Sequence, residues 1–117
     1  MFKQNDIANL NNIIWAIEKI ENSLKSVTSI EEFAQNEEKF DSIIVKLMSI
    51  GESADKLSQK LKSKFPSIDW MDMYRMRNII THSYHSLDES IVWDIALNEL
   101  PNDKFRSLPF FLRLKRN

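Results

Sequence analysis

Residues 37–64 read EEKFDSIIVKLMSIGESADKLSQKLKSK. Within them Phe40, Ile43, Ile44, Leu47, Met48, Ile50, Ala54, Leu57 and Leu61 recur mostly at steps of three and four, the mark of one apolar helix face. The spacing predicts a single long helix from about Glu37 to Lys64. Gly51 is the chain's one glycine, and it falls in the middle of this run. Glycine there costs about 1 kcal/mol relative to alanine. Two circumstances would favour it: a neighbouring helix that comes very close, or a site that needs space. Glu52 follows, a mid-helix carboxylate that is either solvated or paired with Arg75 or Arg77. Lys56, Lys60, Lys62 and Lys64 crowd the end of the run, where cations complement the helix dipole. Phe65-Pro66 stops it.

Reading outward, the same periodicity governs the flanks. Ile7, Leu10, Ile13, Ile14, Ile17, Ile20 and Leu24 predict a first helix from about Asp6 to Leu24, with Trp15 and Ala16 widening its buried stripe. Ser26 to Ser29 is a polar break. Ser29 ahead of Glu31 and Glu32 reads as a helix cap with acidic first-turn residues. A short helix near Ile30–Gln35 follows, anchored by Phe33, and Asn36 can cap the next element. Beyond Pro66, Ser67 or Asp69 caps a helix from about Trp70 to Tyr84. Asp88 caps a last helix, Glu89 to Leu100, with Ile91, Val92, Ile95 and Leu100 turned inward. With 1 Gly and 3 Pro in 117 residues, there is little turn chemistry for a sheet. The fold class is all-α, an antiparallel bundle of four to five helices, forming one domain over residues 1–117.

Composition excludes several functions. There is no cysteine, hence no disulfide and no thiolate chemistry. No apolar run reaches the length of a membrane span, and the N-terminus lacks a signal peptide's apolar segment. The expected location is cytoplasmic, with no membrane partner. The net charge of −1 hides an asymmetry. Residues 102–117, a basic and aromatic tail, hold five of the sixteen Lys and Arg and only one of the seventeen Asp and Glu. An acidic body binds nucleic acid poorly, because phosphate contacts supply most non-specific affinity. Any RNA site must concentrate positive charge locally, at this tail or near Arg75 and Arg77. Packing is the expected role of Phe105, Leu108 and the Phe110–Leu112 cluster.

Arg75 to His85 reads RMRNIITHSYH and holds both histidines of the chain. A histidine exchanges a proton near neutral pH, and a guanidinium grips a phosphate bidentately. Together they suit RNA cleavage without a metal. His82 would take the ribose 2′-hydroxyl proton or protonate the leaving oxygen. Arg77 would hold the phosphate and its growing charge. Asn78 would orient His82 or donate to phosphate, and Tyr84 could stack a base. Arg75 and His85 are auxiliaries on the rim. At about 100° per residue, Asn78 and His82 share a helix face, but Arg77 and His82 stand about 140° apart. Three geometries could bring those two together: a loosened helix near His82, an arginine that wraps round, or a second copy of the chain. The bland alternatives are an Arg77 that only pairs with Glu52 or Asp72, and a His82/His85 couple that either favours the helix end electrostatically or forms half a metal site.

Arg77-Asn78-x-x-x-His82-x-Tyr84 resembles the signature of the HepT-like toxins, a branch of the HEPN ribonuclease superfamily. Ile50-Gly51-Glu52-Ser53-Ala54, Phe65-Pro66-Ser67-Ile68-Asp69-Trp70, and Ile91-Val92-Trp93-Asp94 with Leu100-Pro101 resemble further segments of that family, in the same order. Ser53 stands where alanine is usual, and Ser83 where glycine is common. The resemblance covers about residues 5–101. It implies a HEPN-like homodimer with the motif cleft at its two-fold interface. It also implies the toxin of a type VII toxin–antitoxin pair, an endoribonuclease acting on RNA such as tRNA or mRNA, with Arg77 and His82 catalytic and Asn78 supporting. The partner would be an MNT-type nucleotidyltransferase antitoxin that transfers AMP from ATP to Tyr84, giving O-AMP-tyrosine. ATP is then the antitoxin's substrate, and the toxin itself needs neither metal nor cofactor. Some HEPN bundles only bind a nucleotidyltransferase or a nucleotide, so a non-catalytic interaction module is the rival expectation.

Overall fold

The computed structural model describes residues 3–83 and 86–99. The expectations for Tyr84, His85, Leu100 and the 102–117 tail lie outside them. The described residues are helical and contain no strand: α1 (Gln4–Leu24), α2 (Ile30–Gln35), α3 (Glu37–Lys56), α4 (Gln59–Lys64), α5 (Trp70–Ser83) and α6 (Glu89–Asp94), which continues into a π-helical turn, Ile95–Glu99. None of these helices is long and apolar enough to cross a membrane.

α3 is the central element, with α1 packed on one side and α5 on another. Its buried stripe is Ile43, Ile44, Leu47, Ile50 and Ala54. Ile13, Ile17 and Ile20 of α1 and Met73, Met76 and Ile80 of α5 complete the core. Fully burying each large aliphatic side chain contributes about 1.5–3 kcal/mol. Phe33 of α2 is completely buried. Its ring lies 5.7 Å from Phe40 and 5.3 Å from Trp93, both tilted, which joins α2 to α3 and α6.

The expected caps are in place. Ser29 Oγ accepts from Glu32 N at 3.2 Å, and Asn36 Oδ1 accepts from Lys39 N at 3.1 Å. Between the two candidates for α5, Asp69 is the cap, accepting from Asp72 N at 2.9 Å. Asp88 Oδ1 accepts from Ser90 N at 2.8 Å. Hydrogen bonds from Thr28 hold the Glu32 carboxyl below its usual pKa, and those from Ser90 do the same for Asp88. A carboxyl lowered in this way stabilises the fold above its unfolded-state pKa, and that contribution is lost as pH falls through the folded value. α1 has no basic residue in its last turn. Lys39 of α3 supplies the charge instead, donating to Ser23 O at 2.7 Å and Ser26 Oγ at 2.9 Å.

Four expectations are corrected. The helix expected over Glu37–Lys64 is two helices, broken at the extended pair Leu57 and Ser58. The apolar pattern runs unbroken through Leu57 and Leu61, so the break leaves no trace in periodicity. It is tied from the far end of the chain. Asp6, 3% exposed, accepts from Ser58 N at 2.8 Å and from Ser58 Oγ at 2.6 Å. The same hydroxyl accepts from Leu61 N at 3.2 Å and so caps α4. Trp15 does not widen the buried stripe of α1, being 52% exposed. Ile7 is also exposed, and Ile91 faces outward on α6 while Val92 is buried.

The Asp6–Ser58 tie has a measurable consequence. Asp6→Ala would leave the Ser58 amide and hydroxyl without their partner. A hydrogen bond to a charged group contributes about 1.5–3 kcal/mol, so urea unfolding should show a loss of about 2 kcal/mol. Part of this loss should disappear when Asp6→Ala is made on a Ser58→Ala background, which has already lost the hydroxyl bond but keeps the amide bond. Full additivity would mean that the hydroxyl bond contributes nothing.

Candidate functional site

Gly51 explains how α5 reaches α3. A Cβ built on Gly51 would overlap the Cβ of Arg77, and would stand 2.9 Å from the Met73 carbonyl and 3.1 Å from Arg77 Cγ. The first circumstance that favours glycine, a very close neighbouring helix, therefore holds. The closely approaching helix is the motif helix, and the contact is at Arg77. The missing side chain lets the root of Arg77 lie against the α3 backbone.

From that root the guanidinium is held on three sides. Glu52 Oε1 stands 3.8 Å from Arg77 Nε. With side chains 31% and 48% exposed, such a pair contributes about 0–1 kcal/mol. At 3.8 Å it is no hydrogen bond, and Arg77 Nε is a buried donor without a hydrogen-bond partner. The Tyr74 ring lies one turn back, its centroid 5.9 Å from Arg77 Cζ, within cation–π range. Asn78 Oδ1 accepts from Arg77 Nη1 at 2.7 Å. Asn78 lies one turn before His82, on the same face.

This contact bears on the three geometries. α5 is α-helical through Ser83, so the helix does not loosen at His82. Arg77 Nη1 donates to Asn78, the residue one turn before His82, while its Nε side faces Glu52 of α3. His82 itself is exposed in the last turn of α5. Arg75 is elsewhere. It lines a separate cavity of about 490 Å³ between α5 and α6, with Asp72, Met76, Ile79, Ile91 and Asp94. Arg75 and Arg77 do not form one cationic patch. Tyr84 and His85 are outside the described residues, among which no cluster of three or more His, Asp or Glu could hold a metal ion.

Ser53, the departure from the usual alanine, is buried and accepts from Asn12 Nδ2 at 2.7 Å. Asn12 Nδ2 also donates to Ser49 Oγ at 2.9 Å. The extra hydroxyl is thus paired in an α1–α3 link. Tyr74 is the neighbour of Arg77 that motif reading missed. The available signal was its spacing, three residues before the arginine on a helix.

The all-helical fold is that of a HEPN-like bundle, and its motif helix α5 carries Arg77, Asn78 and His82. The Ribonuclease HepT-like family matches residues 13–105. The chain belongs to the HepT-like ribonuclease family. Among its relatives is a Thermococcus cleftensis protein named as a probable ribonuclease HepT, 30% identical over 81% of this chain and 86% of that one. A Methanocaldococcus jannaschii protein named as a presumed RNase is 32% identical over 64% of this chain and 62% of its own length. A second protein of that organism, named as both a gamma-glutamylcyclotransferase and a presumed RNase, is 28% identical over 92% of this chain. The chain spans 62% and 48% of those last two relatives. No solved structure matches the chain.

Proposed function

We propose that the chain is the toxin of a toxin–antitoxin pair, an endoribonuclease that cuts RNA through Arg77 and His82 without a metal. The observation that supports this is the hydrogen bond between Arg77 Nη1 and Asn78 Oδ1 at 2.7 Å, which ties the cation to the residue one turn before the exposed His82. His82 takes the proton of a ribose 2′-hydroxyl as that oxygen attacks phosphorus. The bond to the 5′-oxygen breaks, and the leaving oxygen is protonated by His82 or by water. The products are a 2′,3′-cyclic phosphate and a 5′-hydroxyl. Arg77 neutralises the added charge on the pentacoordinate phosphorus.

The site works as a homodimer, in which two arginines and two histidines share one cleft. Exposed Ile79 and Ile91, 55% and 49% accessible, flank the groove between α5 and α6. Two large aliphatic side chains on the motif-helix side give a partner chain an apolar surface to cover. An MNT-type nucleotidyltransferase is the antitoxin. The Tyr84 oxygen attacks the α-phosphorus of ATP, pyrophosphate leaves, and the phenolic proton passes to solvent. The bound AMP adds negative charge to the motif, which repels RNA phosphate.

Two experiments test this reading. Wild type and His82→Ala are expressed alone in bacteria and assayed on tRNA and a structured RNA with chelator present. Growth arrest and cleavage that both vanish in His82→Ala support the enzyme. A harmless wild type that cuts nothing supports the rival, a non-catalytic module. Separately, incubation with the antitoxin and ATP should add the mass of AMP to a peptide containing Tyr84, and Tyr84→Phe should abolish the addition. AMP found on another residue would remove the regulatory part and leave the nuclease intact.

A further inference from the structure

Next to Arg77 the chain has a second cavity that the motif does not involve. It measures about 450 Å³ and is lined by residues of α3, α4 and α5, among them Asp55, Lys62, Trp70, Met71 and Tyr74. This volume is within the range of small-ligand pockets, about 300–1,000 Å³. Tyr74 belongs to both places. It lines this cavity, and its ring centroid is 5.9 Å from Arg77 Cζ. We infer that the Asp55–Lys62–Tyr74 cavity seats the nucleotide adjoining the phosphate held by Arg77, and that it prefers a base carrying an amino group. The inference rests on the ribonuclease reading above.

The chemistry of the lining supports each part. Single-stranded RNA is held by stacking its bases on aromatic faces while cations follow the backbone. Tyr74 is partly exposed and supplies the ring, Met71 is exposed beside it, and Lys62 supplies the cation. The buried Trp70 forms the floor, its Nε1 donating to the Phe65 carbonyl at 3.1 Å. That bond fixes the ring and makes the floor rigid. The two carboxylates in the lining argue against a pocket for phosphate alone. Asp69 is occupied in capping α5. Asp55 is exposed, and an ionised carboxylate only accepts hydrogen bonds. Its natural partner on a base edge is an amino group, as in carboxylate recognition of cytosine N4. Uracil has none. The distance from Tyr74 to Arg77 is about one helix turn, close to the spacing of adjacent nucleotides. The base on Tyr74 is then a direct neighbour of the scissile linkage.

The test uses the His82→Ala protein, which holds RNA uncut, and short fluorescent single strands of about ten nucleotides. An oligo-C strand should bind several-fold more tightly than oligo-U, and Asp55→Ala should erase the difference. Tyr74→Leu should weaken oligo-C about ten-fold, but should barely affect a ribose–phosphate strand without bases. Displacement of Arg77 would weaken both strands alike. Lys62→Ala should weaken both and reduce the slope of log affinity against log salt by about one. If the three variants bind every strand as their parent does, the pocket is not a nucleotide site and the ribonuclease reading stands. If wild type neither binds nor cuts RNA, both fall together.

Discussion

Replacing Gly51 with alanine should destabilise the protein by about 2 kcal/mol, although helix propensity alone predicts the reverse. Alanine in a helix interior is favoured over glycine by about 1 kcal/mol, and α3 is regular on both sides of Gly51. The contact decides the sign. The new Cβ would overlap the Arg77 Cβ and press on the Met73 carbonyl at 2.9 Å. Neither atom is the far end of a flexible side chain, so α3 and α5 must separate. Overfilling a packed interface costs about 1–3 kcal/mol, occasionally more. The separation also carries Arg77 away from Glu52, so RNA cleavage should fall along with stability. Urea denaturation and a cleavage assay on the refolded protein measure the two effects. An alanine variant about 1 kcal/mol more stable than wild type would show that the helices are not in contact here.

Gly51 also marks where the sequence could be read and where it could not. A lone glycine in an apolar stripe announced a close approach or a site, and the structure shows the close approach, at Arg77 of the motif helix. Amphipathic stripes placed Ile13, Ile44 and Leu47 in the core correctly, because period alone selects a helix face. Period does not give depth. Trp15 and Ile91 carry the hydrophobicity of core residues but lie at the edge of their stripes, where no helix among the described residues covers them. The break at Leu57–Ser58 was invisible for a different reason. Ser58 is tied to Asp6, 52 residues away, and no local pattern reports a tertiary tie. Within the site, the Arg77–Asn78–His82 spacing was legible. The direction of the arginine was not, because it depends on Asn78 Oδ1 as an acceptor and on Tyr74, a residue outside the motif. The separation of Arg75 from Arg77 was implicit in the roughly 200° between residues two apart on a helix.

His82→Ala should lower RNA cleavage by about 10²–10⁴-fold, the range for losing a general acid or base. Arg77→Lys should lower it by about 10²–10³-fold, the range for losing one donor to a developing oxyanion. Lysine keeps the charge but loses the planar fork, and with it the Nη1 bond to Asn78 that directs the cation. His82 is exposed, so its removal should change unfolding free energy by no more than about 0.5 kcal/mol. A lost rate with an unchanged urea midpoint would therefore belong to the chemistry. The double variant distinguishes a shared site from two separate ones. If both groups act on one phosphate, the second substitution costs far less once the first is made, because residues that work as a unit are strongly non-additive. Independent sites would give a product of the two factors, and cleavage would drop by about 10⁴-fold or more. Single-turnover rates on one RNA, for wild type, both single variants and the double, decide between these. A His82→Ala protein that cuts at the wild-type rate would end the assignment of that histidine.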